Sequence, residues 1–466
     1  MRRRRNVGGI LSLTLFLAAA SLGGQDPADR TRELEKKLKE LQERVDALAA
    51  SVDLETRRAI EQLRREMDAL TKEMETLRSG VPEKRAETAA SGAWVPGFGP
   101  AASKVYRSER GVSIGGYGEV LYESFAARRG DGTPSELRDR IDLLRAVFYF
   151  GYKFDDRFLF NSEVEYEHAS TGAGSEEKGE VSVEFAYVDY LLGKKRATGL
   201  RAGLVLVPMG FVNELHEPPV FLGARRPEVE SRILPTTWSE LGAGVFGQAG
   251  PVSYRAYVVN GLDAAGFSGA EAIGGGRQAG SRALAESLAI TGRLDYVGMP
   301  GLSAGVSGYW GGSGQGREVE GRRISGRVSL FDAHAEWRWR GIATRALFAR
   351  GSIGDAARIN ALNGLSGRAS VPRVFAGGYL EAGYDVLSPR GGAAALVAFV
   401  RYERFDTQLE VPGGFSRDPG NDVRLWTVGV SYRPIPQIVL KTDYQDFNDR
   451  AGASTDRWNI ALGWLF

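Results

Sequence analysis

Two hydrophobic periods divide the chain. From Asp29 to Leu77 apolar residues recur in steps of four and three: Leu34, Leu38, Leu41, Val45, Leu48 and Val52, then, one residue out of phase, Ile60, Leu63, Met67, Leu70, Met74 and Leu77. This is the seam of a coiled coil, with a skip near residues 54–59 that locally disturbs the supercoil. From Val105 onward the period falls to two, as in strands whose side chains alternate between faces. The last ten residues show it most plainly. Trp458, Ile460, Leu462, Trp464 and Phe466 share one face, while Asn459, Ala461 and Gly463 share the other. Large apolar groups on one side and small or polar groups on the other is the pattern of a strand crossing lipid around a wet lumen.

Turn residues cut the rest into sixteen expected strands: 112–124, 140–154, 157–168, 179–192, 198–207, 241–249, 251–260, 286–298, 301–311, 326–340, 341–352, 373–387, 393–405, 422–433, 435–446 and 456–466. An even count lets an antiparallel sheet close, and closure removes the open edge that lipid forbids. The connections alternate in length. Tight turns at 155–156, 250, 300–301, 341, 389–392 and 434 interleave with long loops at 125–139, 208–240, 261–285, 312–325, 353–372 and 406–421. Face patterns agree: Phe158, Phe160, Val164 and Tyr166 oppose Asn161, Glu163, Glu165 and Glu167, and Leu396, Ala398, Val400 and Tyr402 oppose Arg401 and Glu403. The fold class expected is an all-β transmembrane barrel of about sixteen antiparallel strands, preceded by an N-terminal α-helical coiled coil. Its expected parts are a signal peptide over 1–24, the coiled coil over 27–79, a linker over 80–104 and the barrel over 105–466.

Composition changes this picture in three places. Arg2 to Arg5 followed by the apolar stretch Ile10 to Ala20 read as an export signal, too short to span a bilayer as a helix. The absence of cysteine excludes disulfides, thiolate metal sites and a cysteine-anchored lipid. With 60 Lys and Arg against 58 Asp and Glu, the chain lacks the bulk positive charge of a nucleic-acid binder. The linker carries Trp94 and Phe98 among Gly80, Pro82, Pro96, Gly97, Gly99 and Pro100, and reads as an ordinary connection, the alternative being that these aromatics touch a membrane surface or plug an opening.

The signal peptide, coiled coil, linker and sixteen strands, with SIGGYGEVLYESF at the first strand, RFLFNSEVEYEHA at the third and the terminal aromatic, resemble the phosphate-selective porin O and P family of Gram-negative outer-membrane proteins. The resemblance covers about Val112 to Phe466. It implies a water-filled diffusion channel of the outer membrane, usually trimeric, narrowed by an inward loop after the fifth strand, with Phe466 read by the barrel assembly machinery. Val45, Val52 and Ile60 at a-type seam positions, with leucines at d, lean instead towards two strands. Lysine is scarce in the barrel, so a general channel with a mild anion preference is expected, with phosphate as a special case. A structural anchor, tethering the envelope through a periplasmic coiled coil, is the alternative.

The loop Pro208 to Glu240 is the candidate constriction, because thirty-odd residues without strand pattern are unusual unless they serve a function. Arg225, Arg226 and Arg232 stand there among Glu228 and Glu230. Folded inward they would set opposed charges at a narrow point, where the field is least screened; left outside they would serve solubility. Arg145, Arg201, Arg255 and Arg401, with Glu163 and Glu165, fall on lumen-facing positions. No catalytic residue, metal or cofactor is expected: His168, His216 and His334 are isolated in sequence, and His334 with Asp332 and Glu336 reads as polar lumen wall.

Overall fold

A computed structural model of the chain describes residues 98–108, 110–169, 179–193 and 197–466, together with Lys36, Lys39 and Glu40, which are helical and exposed. The signal-peptide expectation, the coiled coil beyond those three residues and the linker up to residue 97 lie outside the described residues. The chain divides into two units, Met1–Val81 and Pro82–Phe466, and the strands all belong to the second. Among the described residues no helix is long and apolar enough to cross a membrane.

Sixteen strands form one closed antiparallel barrel. They are β1 (Gly111–Phe125), β2 (Arg140–Lys153), β3 (Phe158–Glu167), β4 (Val181–Leu192), β5 (Thr198–Leu206), β6 (Ser239–Ala249), β7 (Val252–Asn260) and β8 (Leu288–Met299). The circuit continues with β9 (Leu302–Gly311), β10 (Val328–Trp339), β11 (Ile342–Ile353), β12 (Val374–Asp385), β13 (Ala395–Glu410), β14 (Asp422–Ile435), β15 (Ile438–Asp449) and β16 (Arg457–Leu465). Every expected strand overlaps one of these. Beyond the expectation, β13 and β15 run further at their C-terminal ends, and the loop after β9 carries a two-residue ladder, Glu318–Val319 against Arg322–Arg323.

The barrel closes where β1 pairs with β16, and glycine makes the seam possible. Gly118 lies opposite Trp464. A methyl group on Gly118 would stand 2.2 Å from Cζ2 of Trp464, and one on Gly116 would stand 2.7 Å from Cζ of Phe466. These glycines in the first strand therefore leave room for the aromatic rings of the last. The outward face carries exposed Trp426, Val428, Trp458, Ile460 and Phe466, a band of apolar side chains suited to lipid.

The lumen departs from a purely polar lining. Val397, Phe399, Tyr149, Phe185 and Tyr187 also face inward, and all are buried. They are covered by two segments that enter the barrel. One is the loop between β5 and β6, whose Met209, Phe211, Val229, Ile233, Leu234 and Trp238 join a single apolar cluster with the wall. The other is residues 98–108, which include the short helix α1 (Lys104–Arg107). Expected as linker, residues 98–104 are instead packed inside the barrel mouth. Phe98 lies 4.8 Å from the Tyr106 ring and under the Arg201 guanidinium at 4.5 Å, and Asn161 Nδ2 donates to the Ala102 carbonyl at 3.0 Å. Burying the Phe98 ring and the cation–π contact offset the entropy of ordering this segment.

Candidate functional site

The base of the inward loop is closed by the Val207 amide donating to the Trp238 carbonyl at 2.9 Å and clasped by the side chain of Asn213. Asn213 Nδ2 donates to the carbonyls of Val207 and Trp238 at 2.6 and 3.0 Å, and its Oδ1 accepts from the Trp238 amide at 2.6 Å. From this clasp the loop reaches walls on all sides. His216 Nε2 lies 3.0 Å from Glu163 on β3, Val229 N donates to Glu403 on β13 at 3.0 Å, and Lys441 on β15 donates to the Gly223 carbonyl at 2.8 Å. Glu217 accepts from the amides of Ala101 and Ala102 at 2.9 and 3.2 Å, joining the loop to the segment in the mouth. A loop tied to opposite walls crosses the lumen, so the residues expected at a constriction stand inside the barrel.

Four of the five expected constriction residues share one polar cavity of about 280 Å³: Arg225, Arg226, Glu228 and Arg232 line it with Glu119, Arg145 and others. Glu230 stands apart. Its carboxylate accepts from the amides of Phe211 and Val212 at 2.6 and 2.7 Å and from the Tyr379 hydroxyl at 2.6 Å, so it braces the loop. Thr236 and Ser231, from the same loop, and Glu271, from the loop after β7, add polar groups to the lining, and no local sequence signal marks them.

Charges around the cavity are unevenly matched. Arg225 pairs with Glu123 at 3.0 Å, Arg232 with Glu228 at 3.6 Å, and Arg457 with Glu228 at 2.8 Å. Burial opposes ionisation of Glu228, but Arg457, Arg225 and Arg232 outweigh it and hold the carboxyl below its ordinary value. Arg145 faces Glu119, Glu165 and Glu167 at 3.7, 3.5 and 3.7 Å, too far for hydrogen bonds, and its Nε and Nη1 are enclosed without a partner. Arg226 has no ion pair among the described residues. Its side chain donates to Thr236 Oγ1 at 2.8 Å, and its Nη2 is enclosed without a partner. Burial and then the neighbouring Arg145 push the Arg226 guanidinium below its ordinary value, with Glu165 and Glu119 acting in the opposite direction without forming an ion pair to it.

The other three expected lumen arginines, Arg201, Arg255 and Arg401, are inward but locked. Arg201 pairs with Asp189 at 2.8 Å, Arg255 with Glu214 and Asp295 at 3.0 Å each, and Arg401 with Glu381 at 3.0 Å and Glu403 at 2.8 Å. They form separate braces and no continuous basic track. Glu163 is taken by His216, and Glu165 lies beside Arg145. His334 faces Asp332 through Nδ1 at 2.6 Å and Asp295 through Nε2 at 2.9 Å, which occupies both ring nitrogens, while Glu336 turns to Arg338 and Arg345. Among the described residues no group of three or more His, Asp or Glu is arranged to hold a metal.

No known family profile matches the chain. It is 40% identical over 379 residues to an uncharacterised protein of Aquifex aeolicus, covering 79% of this chain and 83% of that one. The chain belongs to that protein's family. Among solved structures it is similar to the OmpF complex with daunomycin from Salmonella typhi, at 12% identity and TM-score 0.49 over 78% of this chain and 99% of that one. It is also similar to an anion-selective porin from Comamonas acidovorans, at 11% identity and TM-score 0.47 over 77% of this chain and 100% of that one. The outer membrane channel DcaP of Acinetobacter baumannii stands at 10% and 0.45, over 76% and 97%. The barrel assigned to this family rests on its own hydrogen-bonded register and not on these superpositions.

Proposed function

We propose that the protein is an outer-membrane porin, a channel for passive diffusion of small hydrophilic solutes with a mild preference for anions. The observation that carries the reading is Arg226: a cation on a loop that crosses the lumen, facing a polar cavity, with no carboxylate paired to it among the described residues. A guanidinium with no carboxylate in direct ion-pair contact is open to an anion from solution, and at a constriction that favours anion passage. Phosphate is the special case implied by the resemblance to phosphate-selective porins. In this reading the protein is a homotrimer in outer-membrane lipid, assembled by the barrel machinery through Phe466. The short-turn end, with both barrel termini, faces the periplasm together with the coiled coil. Neither a cofactor nor an enzymatic step enters.

The apolar cluster that packs the loop against the wall favours a second reading, the envelope anchor, because a lumen filled by its own side chains passes little current. Single-channel recording in planar bilayers separates the two. The channel reading expects stepwise conductance, an anion-leaning reversal potential under a salt gradient, and block by phosphate if phosphate is preferred. A folded barrel without conductance leaves the anchor.

A further inference from the structure

The outer surface of the barrel is not uniform around its circumference. On β4 to β8 the outward positions nearest the long-loop end are apolar, with Val181, Val183, Leu241, Val258 and Leu288 all exposed. Towards the same end, arginines stand on β11, β13 and β14 and just before β10, while β12 carries none. Arg404 on β13 and Arg424 on β14 are directly opposite in the register, and both are exposed on the outward face. One residue pair deeper stand Tyr402 and Trp426, also directly opposite, their ring centroids 4.7 Å apart. Arg350 on β11 is outward and exposed, and Arg327, just before β10, lies over the Trp310 ring at 4.8 Å.

Like charges directly opposite across a ladder are unfavourable unless something neutralises them. The protein's own acids do so only in part. Asp422 serves Arg404 at 3.7 Å and Arg450 at 3.0 Å, and Glu410 serves Arg350 at 3.9 Å and is bonded by Arg373. Asp446 also faces outward, opposite Trp426. Arg424 and Arg327 have no ion pair among the described residues. Aromatic rings at the edge of the apolar band mark the depth where hydrocarbon gives way to head groups. Arginines one step above them stand at the level of lipid phosphates, which a guanidinium binds through two parallel N–H donors.

We infer that Arg327, Arg350, Arg404 and Arg424 form a docking surface for a phosphorylated lipid head group of the surrounding leaflet. The ligand is a phosphate carried by a lipid, seated with its acyl chains on the apolar band below Tyr402 and Trp426. The surface places β10 to β14 against lipid. This inference needs the outward face to lie in a membrane and does not need the lumen to conduct.

The test is retention of bisphosphorylated lipid A by the detergent-purified full chain, followed by native mass spectrometry, with phosphatidylcholine as the phosphodiester comparison. Wild type is expected to keep lipid A and exchange phosphatidylcholine freely. The double variant Arg404→Gln/Arg424→Gln should bind lipid A roughly 30-fold more weakly, and Arg327→Gln alone roughly fivefold more weakly. Arg322→Gln/Arg323→Gln, which removes the same charge from the exposed ladder in the loop after β9, should match wild type. Each variant is first checked for the heat-resistant electrophoretic mobility of a folded barrel. Unchanged retention by both the double variant and Arg327→Gln overturns the inference, as does an equal loss in the loop variant. Complete displacement of lipid A by millimolar inorganic phosphate also overturns it, since the site would then read free phosphate.

Discussion

The lumen holds two kinds of arginine. Arg401 is fully buried, its charge met by Glu381 from the neighbouring strand and Glu403 from its own. Arg226 stands on the inward loop beside a cavity, and its only side-chain hydrogen bond among the described residues is to a threonine hydroxyl. The residue type is the same and the physics differs. A buried cation with its counter-ions built in holds strands in place, and its charge is already met. A cation whose counter-ion is missing remains available to one. Counting lumen arginines therefore overstates how basic the passage is, and what matters is which of them lack a partner.

The largest effect should come from removing a locked arginine. Arg401→Ala strands two buried carboxylates and should destabilise the barrel by about 3–5 kcal/mol, read from urea unfolding in lipid vesicles followed by tryptophan fluorescence. Arg226→Gln should move stability by less than about 1 kcal/mol, because no charge loses its partner. Equal losses for the two would collapse the distinction.

Selectivity should respond in the opposite order. Arg226→Gln is expected to lower the anion-to-cation permeability ratio roughly threefold, taken from reversal potentials. Thr236→Glu would place a carboxylate beside Arg226 and turn the open cation into a locked one. The ratio should then fall roughly twofold or more while unfolding shifts to higher urea, and a ratio unchanged by both variants would mean that ions do not meet Arg226.

A smaller effect should appear with pH, where the loop meets the segment in the mouth. Burial pushes the Glu217 carboxyl up to about 7, only partly offset by the Ala102 and Ala101 amides. At His216 burial works against charge, but Glu163 outweighs it and the imidazole is held above its ordinary 6.5, donating from both ring nitrogens. Both groups bind protons more tightly in the folded chain than in the unfolded one, so both contributions have the same sign. The Glu217 contribution is complete below its ordinary 4.5 and is lost as pH rises through about 7; that of His216 is complete below 6.5 and is lost above it. Residues 98–108 should resist protease better at pH 5 than at pH 8, and Glu217→Gln should flatten most of that difference. An identical pH profile in the variant would mean that Glu217 does not set the hold on this segment.

The outer face was legible in the sequence because its period is two over many residues. The alternation of Trp458, Ile460, Leu462, Trp464 and Phe466 admits one side to lipid, and a slip of one residue would bury the wrong set. Likewise, the unpatterned length of the loop after β5 marked it as unusual, and its arginines marked where to look. The partners were not legible. Glu230 resembles Glu228 in sequence, yet one is held by Tyr379 on β12 and the other lies at the cavity, a difference made by contacts about 150 residues away. Residues 98–104 have the Gly and Pro content of a linker, and only the cleft offered by Tyr187 and Arg201 makes Phe98 a packing residue. Inward Phe185 and Tyr187 follow a shift in the pairing of β3 with β4 around Glu184, which period alone does not show.

The most direct measurement is a pair of reversal potentials in planar bilayers under a potassium chloride gradient, for Arg226→Gln and Arg225→Gln. The two substitutions remove the same charge from adjacent residues of one loop, but Arg225 is paired with Glu123 and Arg226 is unpaired among the described residues. The predicted result is that Arg226→Gln moves the potential clearly away from the anion side, while Arg225→Gln produces a smaller shift. Equal shifts, or a shift from Arg225→Gln alone, would contradict the claim that the unpaired guanidinium sets the preference.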